Sequence, residues 1–224
     1  MGTIITKDRI VIPGQVIAEG MDYLPAKGTF REGESIIATV LGLLRIEGRL
    51  INVVPLRGPY LPKAGDVVIG TIEEIGFGGW QVDIGIAYPA NLSMKEATKE
   101  FIERGADLAR YYNFNDIIFA TITNVIRLKA VDLSMNGQGL RKLPPGRLID
   151  VDPTKIPRII GKQGSMISMI KEKTKCQIVV GQNGKAWIKG ETAEDELKAD
   201  QAIRKIEAEG HNEGLTEHME KFLE

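Results

Sequence analysis

The chain has 224 residues, and its 29 Lys and Arg against 30 Asp and Glu leave a net charge of −1, which argues against a strongly basic, free-standing nucleic-acid binder. The length allows one to three domains. The sequence shows no signal peptide and no apolar run of about 18 residues, so neither secretion nor a membrane span is expected. The single cysteine, Cys176, excludes an internal disulfide and favours a reducing compartment, so a cytoplasmic location is expected.

The first block, residues 1–62, is predicted to be a small all-β domain. The expected strands are 10–12 and 16–18 around Pro13-Gly14, then 35–44 and 49–54 as a hairpin around Glu47-Gly48. Prolines and glycines concentrated in residues 55–65 mark a boundary. The block has 7 basic and 6 acidic residues and no catalytic grouping, so a docking or packing role is expected.

The second block, residues 63–143, is predicted to contain five strands and one helical insertion. The strands are expected at 66–75, 80–85, 86–93, 117–125 and 130–134, with an amphipathic helix at 95–105 before the fourth strand. Five short strands in this arrangement are the order of an OB fold, a small β-barrel.

The second block resembles an S1-type RNA-binding domain, a member of the OB superfamily. The matching segments are Gly65–Gly70, the Phe77-Gly78-x-Trp80 turn and Val131–Ser134. The resemblance implies that Phe77 and Trp80 stack on bases beside a histidine, but the place of that histidine is taken by Asn91. Either aromatic ring could instead pack the barrel. Three cations could line the RNA face or be ordinary surface charges: Lys95, Arg127 and Lys129.

The third block, residues 144–210, is predicted to alternate strands and helices. The expected order is a strand at 147–151, helices at 156–160 and up to Thr174, strands at 176–180 and 186–189, and a helix at 191–209. Gln182-Asn183-Gly184 is a strong hairpin signal between the last two strands. This βααββα order resembles a KH domain of the eukaryotic-type topology.

The turn between the first two helices of this block carries the main binding signal. Gly161 and Gly164 give backbone freedom and close approach, Lys162 gives charge and Gln163 a polar side chain, and the turn opens a helix whose N–H groups favour anions. KH modules use such a turn to clamp about four nucleotides. Two flanking cations are candidates for contacts with phosphates, Arg158 and Lys171. Three isoleucines could form the walls of a groove for bases or could be ordinary core residues: Ile160, Ile167 and Ile178.

Charge is segregated along the last third of the chain. Residues 144–190 contain 9 basic and 3 acidic residues, whereas residues 191–224 contain 4 basic and 11 acidic residues. The basic excess coincides with the glycine turn and favours a polyanion over a merely solvated face. Residues 211–224 are expected to be an acidic helix or a frayed end. The glycine turn could also be architectural, packed against another domain.

The whole arrangement resembles the RNA-binding cap subunits of the exosome, a 3′-to-5′ RNA-degrading ring. The segments that carry the resemblance are Val11–Gly20 and Ile156–Ser165, together with the domain order. The resemblance implies that three caps sit on a hexameric phosphorolytic ring, bind single-stranded RNA with A-rich 3′ ends, and have no catalytic residues, metal or cofactor of their own.

Two alternatives remain open from the sequence. One is a fragment of a polynucleotide phosphorylase, which is disfavoured because its KH module precedes its S1 module. The other is a stand-alone S1/KH protein that acts as an RNA chaperone or a translation factor. The chain contains no Walker loop, and its histidines, His211 and His218, have no cysteine nearby for a zinc site.

Overall fold

The structure is a computed structural model that describes residues 3–4, 10–103, 105–126, 130–209 and 215–223. By its internal contacts the chain divides after Gly58 into two compact units. The strands of the first unit are β1 (Thr3–Ile4), β2 (Ile10–Val11), β3 (Val16–Glu19), β4 (Leu24–Pro25), β5 (Thr29–Glu32), β6 (Ser35–Ala38), β7 (Gly42–Glu47) and β8 (Leu50–Pro55).

The first unit contains two four-stranded sheets, in the orders β1-β3-β6-β5 and β2-β7-β8-β4. Fully buried aliphatic residues fill its core: Val11, Ile17, Ile36, Ile51 and Val53. The hairpin around Glu47-Gly48 is confirmed as β7 and β8. The single strand expected at 35–44 is wrong, because Thr39 donates its N–H to the carbonyl of Gly28 and the chain then passes into the other sheet.

The second unit begins with the barrel strands β9 (Val67–Gly76), β10 (Gly79–Asp83), β11 (Ala90–Ser93), β12 (Ile117–Ile126), β13 (Ala130–Ser134) and β14 (Arg141–Leu143). The order β13-β11-β10-β9-β12 closes on itself because β12 also pairs with β13. The OB-like barrel is therefore confirmed. The strand β14 extends the sheet beyond β12 as an additional edge strand.

The helical insertion of the barrel is shorter than expected. Helix α1 covers only Met94–Ala97, and a single 3₁₀ turn follows at Leu108–Arg110. Thr98 is extended, and its hydroxyl accepts the N–H of Glu100. This local side-chain turn competes with continuation of the helix. Ile102 and Leu108 still pack into the barrel core.

The KH module contains β15 (Arg147–Asp150), α2 (Ile156–Ile160), α3 (Ser165–Thr174), β16 (Gln177–Val180), β17 (Lys185–Lys189) and α4 (Ala193–Glu209), followed by α5 (Leu215–Leu223). Its antiparallel sheet has the order β15-β17-β16, which confirms the eukaryotic-type topology. On α4, Ala199 and Ile203 are buried against this sheet, whereas Leu197 is 45% exposed. The acidic helix α5 packs on the same core through Leu215 and Met219.

The barrel and the KH module share a buried seam. Ile69 of β9, Leu143 of β14 and Trp187 of β17 form one apolar cluster, each at most 2% exposed. The side chain of Asn183, in the β16–β17 turn, accepts the N–H of Ile69 at 3.1 Å and donates to the carbonyls of Ile69 and Ile84, both at 2.8 Å. The two modules therefore belong to one compact unit and are joined across this seam.

Candidate nucleic-acid interface

The glycine turn joins α2 to α3 with a backbone that requires glycine at its start. Gly161 has φ +75°, and a Cβ there would lie 2.7 Å from the Cβ of Met166. Gly164 is left-handed with φ +81°, and Gln163 between them is also left-handed, with φ +55°. The side chains of Lys162 and Gln163 are exposed. In the part of the chain that the structure describes, the turn is therefore exposed at Lys162 and Gln163.

A groove of about 550 Å³ runs beside this turn. Ile160 of α2 and Ile167 of α3 are partly buried and line it, while Ile178 of β16 is 2% exposed and lies at its base. The predicted wall residues are thus brought together, and each isoleucine also packs on the KH core. An apolar groove of this kind accommodates unpaired bases.

The free edge of β16 adds main-chain polar groups to the groove. Among the described strands, β16 pairs with β17 alone, and Gly181 donates its N–H to the carbonyl of Lys185 at 2.8 Å. Hydrogen-bonded and non-hydrogen-bonded pairs alternate in an antiparallel ladder, so the N–H and C=O groups of Ile178 and Val180 point to the free edge. Such groups can read the polar edges of bases.

The cations around the groove are not neutralised by neighbouring carboxylates. Arg158, Lys162 and Lys171 are exposed and make no ion pair with any residue that the structure describes. Some other cations of the module are paired, since Arg147 contacts Asp200 at 2.9 Å and Lys185 contacts Asp83 at 3.2 Å. Positive charge without a carboxylate partner among the described residues is therefore present at the groove.

The predicted aromatic platform on the barrel is reduced to one ring. Phe77, in the β9–β10 turn, is fully exposed. Trp80 is only 2% exposed, donates its indole N–H to the carbonyl of Tyr112 at 2.9 Å and meets the ring of Tyr112 edge-on. The prediction that Trp80 stacks on bases is wrong for this reason. The apolar alternation of Trp80, Val82 and Ile84 was the signal that it faces the core.

The barrel face around Asn91 is polar and carries carboxylates. Gln81 is the register partner of both Glu74 and Asn91, and Asn91 is in turn opposite Asp132. Asn91 and Glu74 are exposed. Two carboxylates in one row repel phosphates, so this face is a weaker candidate than the KH groove. Lys95 is exposed on α1, whereas Arg127 and Lys129 lie outside the described residues.

The thiol of Cys176 is unreactive. Cys176 lies at the base of the groove, and burial raises the pKa of its thiol, which keeps it protonated at neutral pH. Across the described parts of the chain, no three His, Cys, Asp or Glu side chains are close enough to hold a metal ion. None of the helices formed by the described residues is long and apolar enough to cross a bilayer.

Two family models match the chain. Residues 8–57 match the model described as the N-terminal domain of the exosome RNA-binding protein RRP4, and residues 146–194 match a KH domain. Curated relatives called exosome complex component Rrp4 span the full chain. The protein from Thermococcus kodakarensis is 42% identical over 100% of this chain and 88% of its own length. The protein from Methanobrevibacter smithii is 42% identical over 96% of this chain and 70% of its own length.

A solved structure also resembles this fold. It is described as that of an exosome complex RNA-binding protein, is 33% identical, and superposes with a TM-score of 0.67 over 74% of this chain and 95% of its own.

Proposed function

We propose that this chain, which belongs to the Rrp4 family of exosome complex components, binds single-stranded RNA and presents it to the degrading subunits of an exosome. The observation that carries the proposal is the exposed turn of Gly161–Gly164 beside an apolar groove of about 550 Å³. The cations at the rim of this groove make no ion pair with a residue that the structure describes. The relatives are called exosome components, which favours this function over a stand-alone RNA chaperone or translation factor.

The turn and the groove divide the recognition of a nucleotide between them. The close backbone at Gly161, the charge of Lys162 and the N-terminus of α3 suit a phosphate. The groove suits the attached base, because its lining is mostly apolar and its free strand edge offers hydrogen bonds. Bases in a duplex are stacked and paired, so single strands are the preferred substrate.

The barrel would act as a second, weaker contact. Phe77 can stack on one base, and Lys95 can meet a phosphate, while Asn91 lies among carboxylates. We keep Arg127 and Lys129 as expected contacts from the sequence. When RNA is bound at one of two weak sites in the same compact unit, its effective concentration at the other site rises. Three copies around one ring would add to this gain. Preference for A-rich 3′ ends belongs to the same proposal.

The partner of the first unit would be a subunit of the phosphorolytic ring. Ile10, Leu43 and Val54 are register partners across β2, β7 and β8, and each is 42–52% exposed. An exposed apolar row of this kind suits a protein interface. We propose that it docks the chain on a hexameric ring, three chains per ring, and that cleavage takes place in the other subunits.

Reconstitution with the ring subunits tests this function. The purified chain alone is expected to leave RNA intact in phosphate buffer, and its addition to the ring is expected to accelerate decay of single-stranded RNA. Degradation by the isolated chain, or no effect on the ring, would contradict the proposal.

Replacing Leu43 and Val54 by glutamate is expected to weaken co-purification with the ring by about tenfold or more, because each carboxylate would be desolvated at the interface. Binding of RNA by the isolated variant should be unchanged. The matched control is Leu50→Glu, because Leu50 is also 43% exposed and lies at the other end of β8. Equal loss in the control would mean that the apolar row is not the docking surface.

A further inference from the structure

One wall of the groove is built by the barrel and not by the KH module. Phe119 of β12 and Arg141 of β14 line the groove together with Lys171 of α3. The strand β16 separates the two sides, since Ile178 packs on the helix-side core and Val179 on the seam. The groove therefore bends around the free edge of β16, with one cation on each side.

The position of Arg141 follows from the register of the edge strand. Arg141 is opposite Phe119, and Leu143 is opposite Ile117. Side chains two residues apart in a strand share a face, so Arg141 lies on the same face as Leu143, which is buried against Trp187 in the seam. Arg141 therefore lies next to the seam on this face of β14, and its exposed side chain lines the groove.

The guanidinium of Arg141 is available for a ligand. It makes no ion pair with any residue in the described ranges, whereas its neighbour Lys142, on the other face of β14, pairs with Asp116. Its strand partner Phe119 is half-buried and gives an aromatic surface beside it. A planar guanidinium beside an aromatic ring can stack on a base or form paired hydrogen bonds to a phosphate.

We propose that Arg141 and Phe119 make the groove a composite RNA site, which holds at least one nucleotide beyond the stretch clamped by the KH turn. Lys171 and Arg141 would meet the backbone on either side of β16, and the base between them would lie over the apolar floor. This inference rests on the proposed RNA binding and extends it. It makes Arg141 a specificity-determining residue for the length of the bound strand.

The test compares the affinities of the full chain for single-stranded RNA oligonucleotides of four and of eight nucleotides at fixed salt. The variant Arg141→Ala is expected to bind the eight-nucleotide strand about tenfold more weakly and the four-nucleotide strand within about twofold of the unchanged protein. Arg141→Lys should recover part of the loss, because it restores charge but not the planar group. The matched control, Lys142→Ala, removes the same charge from the opposite face of the same strand.

The outcomes separate this inference from the function on which it rests. If the chain binds no RNA of either length, the proposed function fails. If the unchanged protein binds both lengths, Arg141→Ala can lower both affinities by the same factor or leave both unchanged. Either result overturns the composite site and leaves the KH site standing. A loss equal to that in Lys142→Ala would likewise overturn it, since general charge would then explain the effect. The composite site is supported if Lys142→Ala keeps the ratio between the affinities for the eight- and four-nucleotide strands that the unchanged protein has.

Discussion

Replacing Lys162 and Gln163 together by aspartate is expected to weaken the affinity for single-stranded RNA by on the order of 10- to 100-fold. The double change shifts the charge of the turn by three units, at the place where a phosphate would meet the backbone. The fold should tolerate it, because both side chains are exposed and aspartate accepts the left-handed backbone of Gln163 better than most residues. Titration by fluorescence anisotropy at constant salt measures the effect.

The chain contains a matched control for this variant. Lys198 and Gln201 are exposed on α4, which does not line the groove, and their replacement by aspartate changes the net charge by the same amount. This control should lose less than about threefold in affinity, because the charge of the whole chain contributes only a screened, long-range effect. Equal losses in the two variants, or none in the first, would show that RNA is not held by the glycine turn.

The second large effect is expected at the seam between barrel and KH module. Asn183→Ala should lower the free energy of unfolding by about 2–4 kcal/mol, because it leaves the buried N–H of Ile69 and two buried carbonyls without their partner. Urea denaturation of the full chain, followed by tryptophan fluorescence, measures the change. Trp187 is buried in the same seam and reports on it directly.

The neighbouring residue gives the comparison. Gln182 also bonds the barrel, since its side chain accepts the N–H of Val67 at 2.5 Å, but this contact is exposed to water. Water can replace an exposed partner, so Gln182→Ala should lower the free energy of unfolding by less than about 1 kcal/mol. Similar small changes in both variants would contradict the role of Asn183 as the buried link.

Local pattern was sufficient to predict most elements of the barrel and of the KH module. The Gly161–Gly164 turn, the Asn183-Gly184 hairpin and the five-strand barrel depend on glycine conformations and on period-two alternation, which are properties of neighbouring residues. The wrong predictions have the same origin. The resemblance of the turn implied that Trp80 stacks on bases, but the alternation of Trp80 with Val82 directs its side chain inward. Thr98 ends a helix that the apolar spacing favoured.

The parts of the site that the sequence did not reveal depend on contacts between distant segments. Asn183 was predicted only as a turn residue, although its amide bonds strands about 100 residues earlier in the chain. Arg141 carries no local motif, and its position in the groove follows from the pairing of β14 with β12 and from the seam beyond it. Such positions become visible only when the register of the strands is known.

The buried seam also decides how the two modules meet a polynucleotide. Modules joined by a loose tether would have to give up their independent rotation each time a strand engaged both of them. Here that entropy is already lost when the chain folds, because Asn183 and Trp187 fix the angle between barrel and KH sheet. Under the proposed function, a strand that binds both surfaces would therefore pay no further entropy for orienting one module against the other.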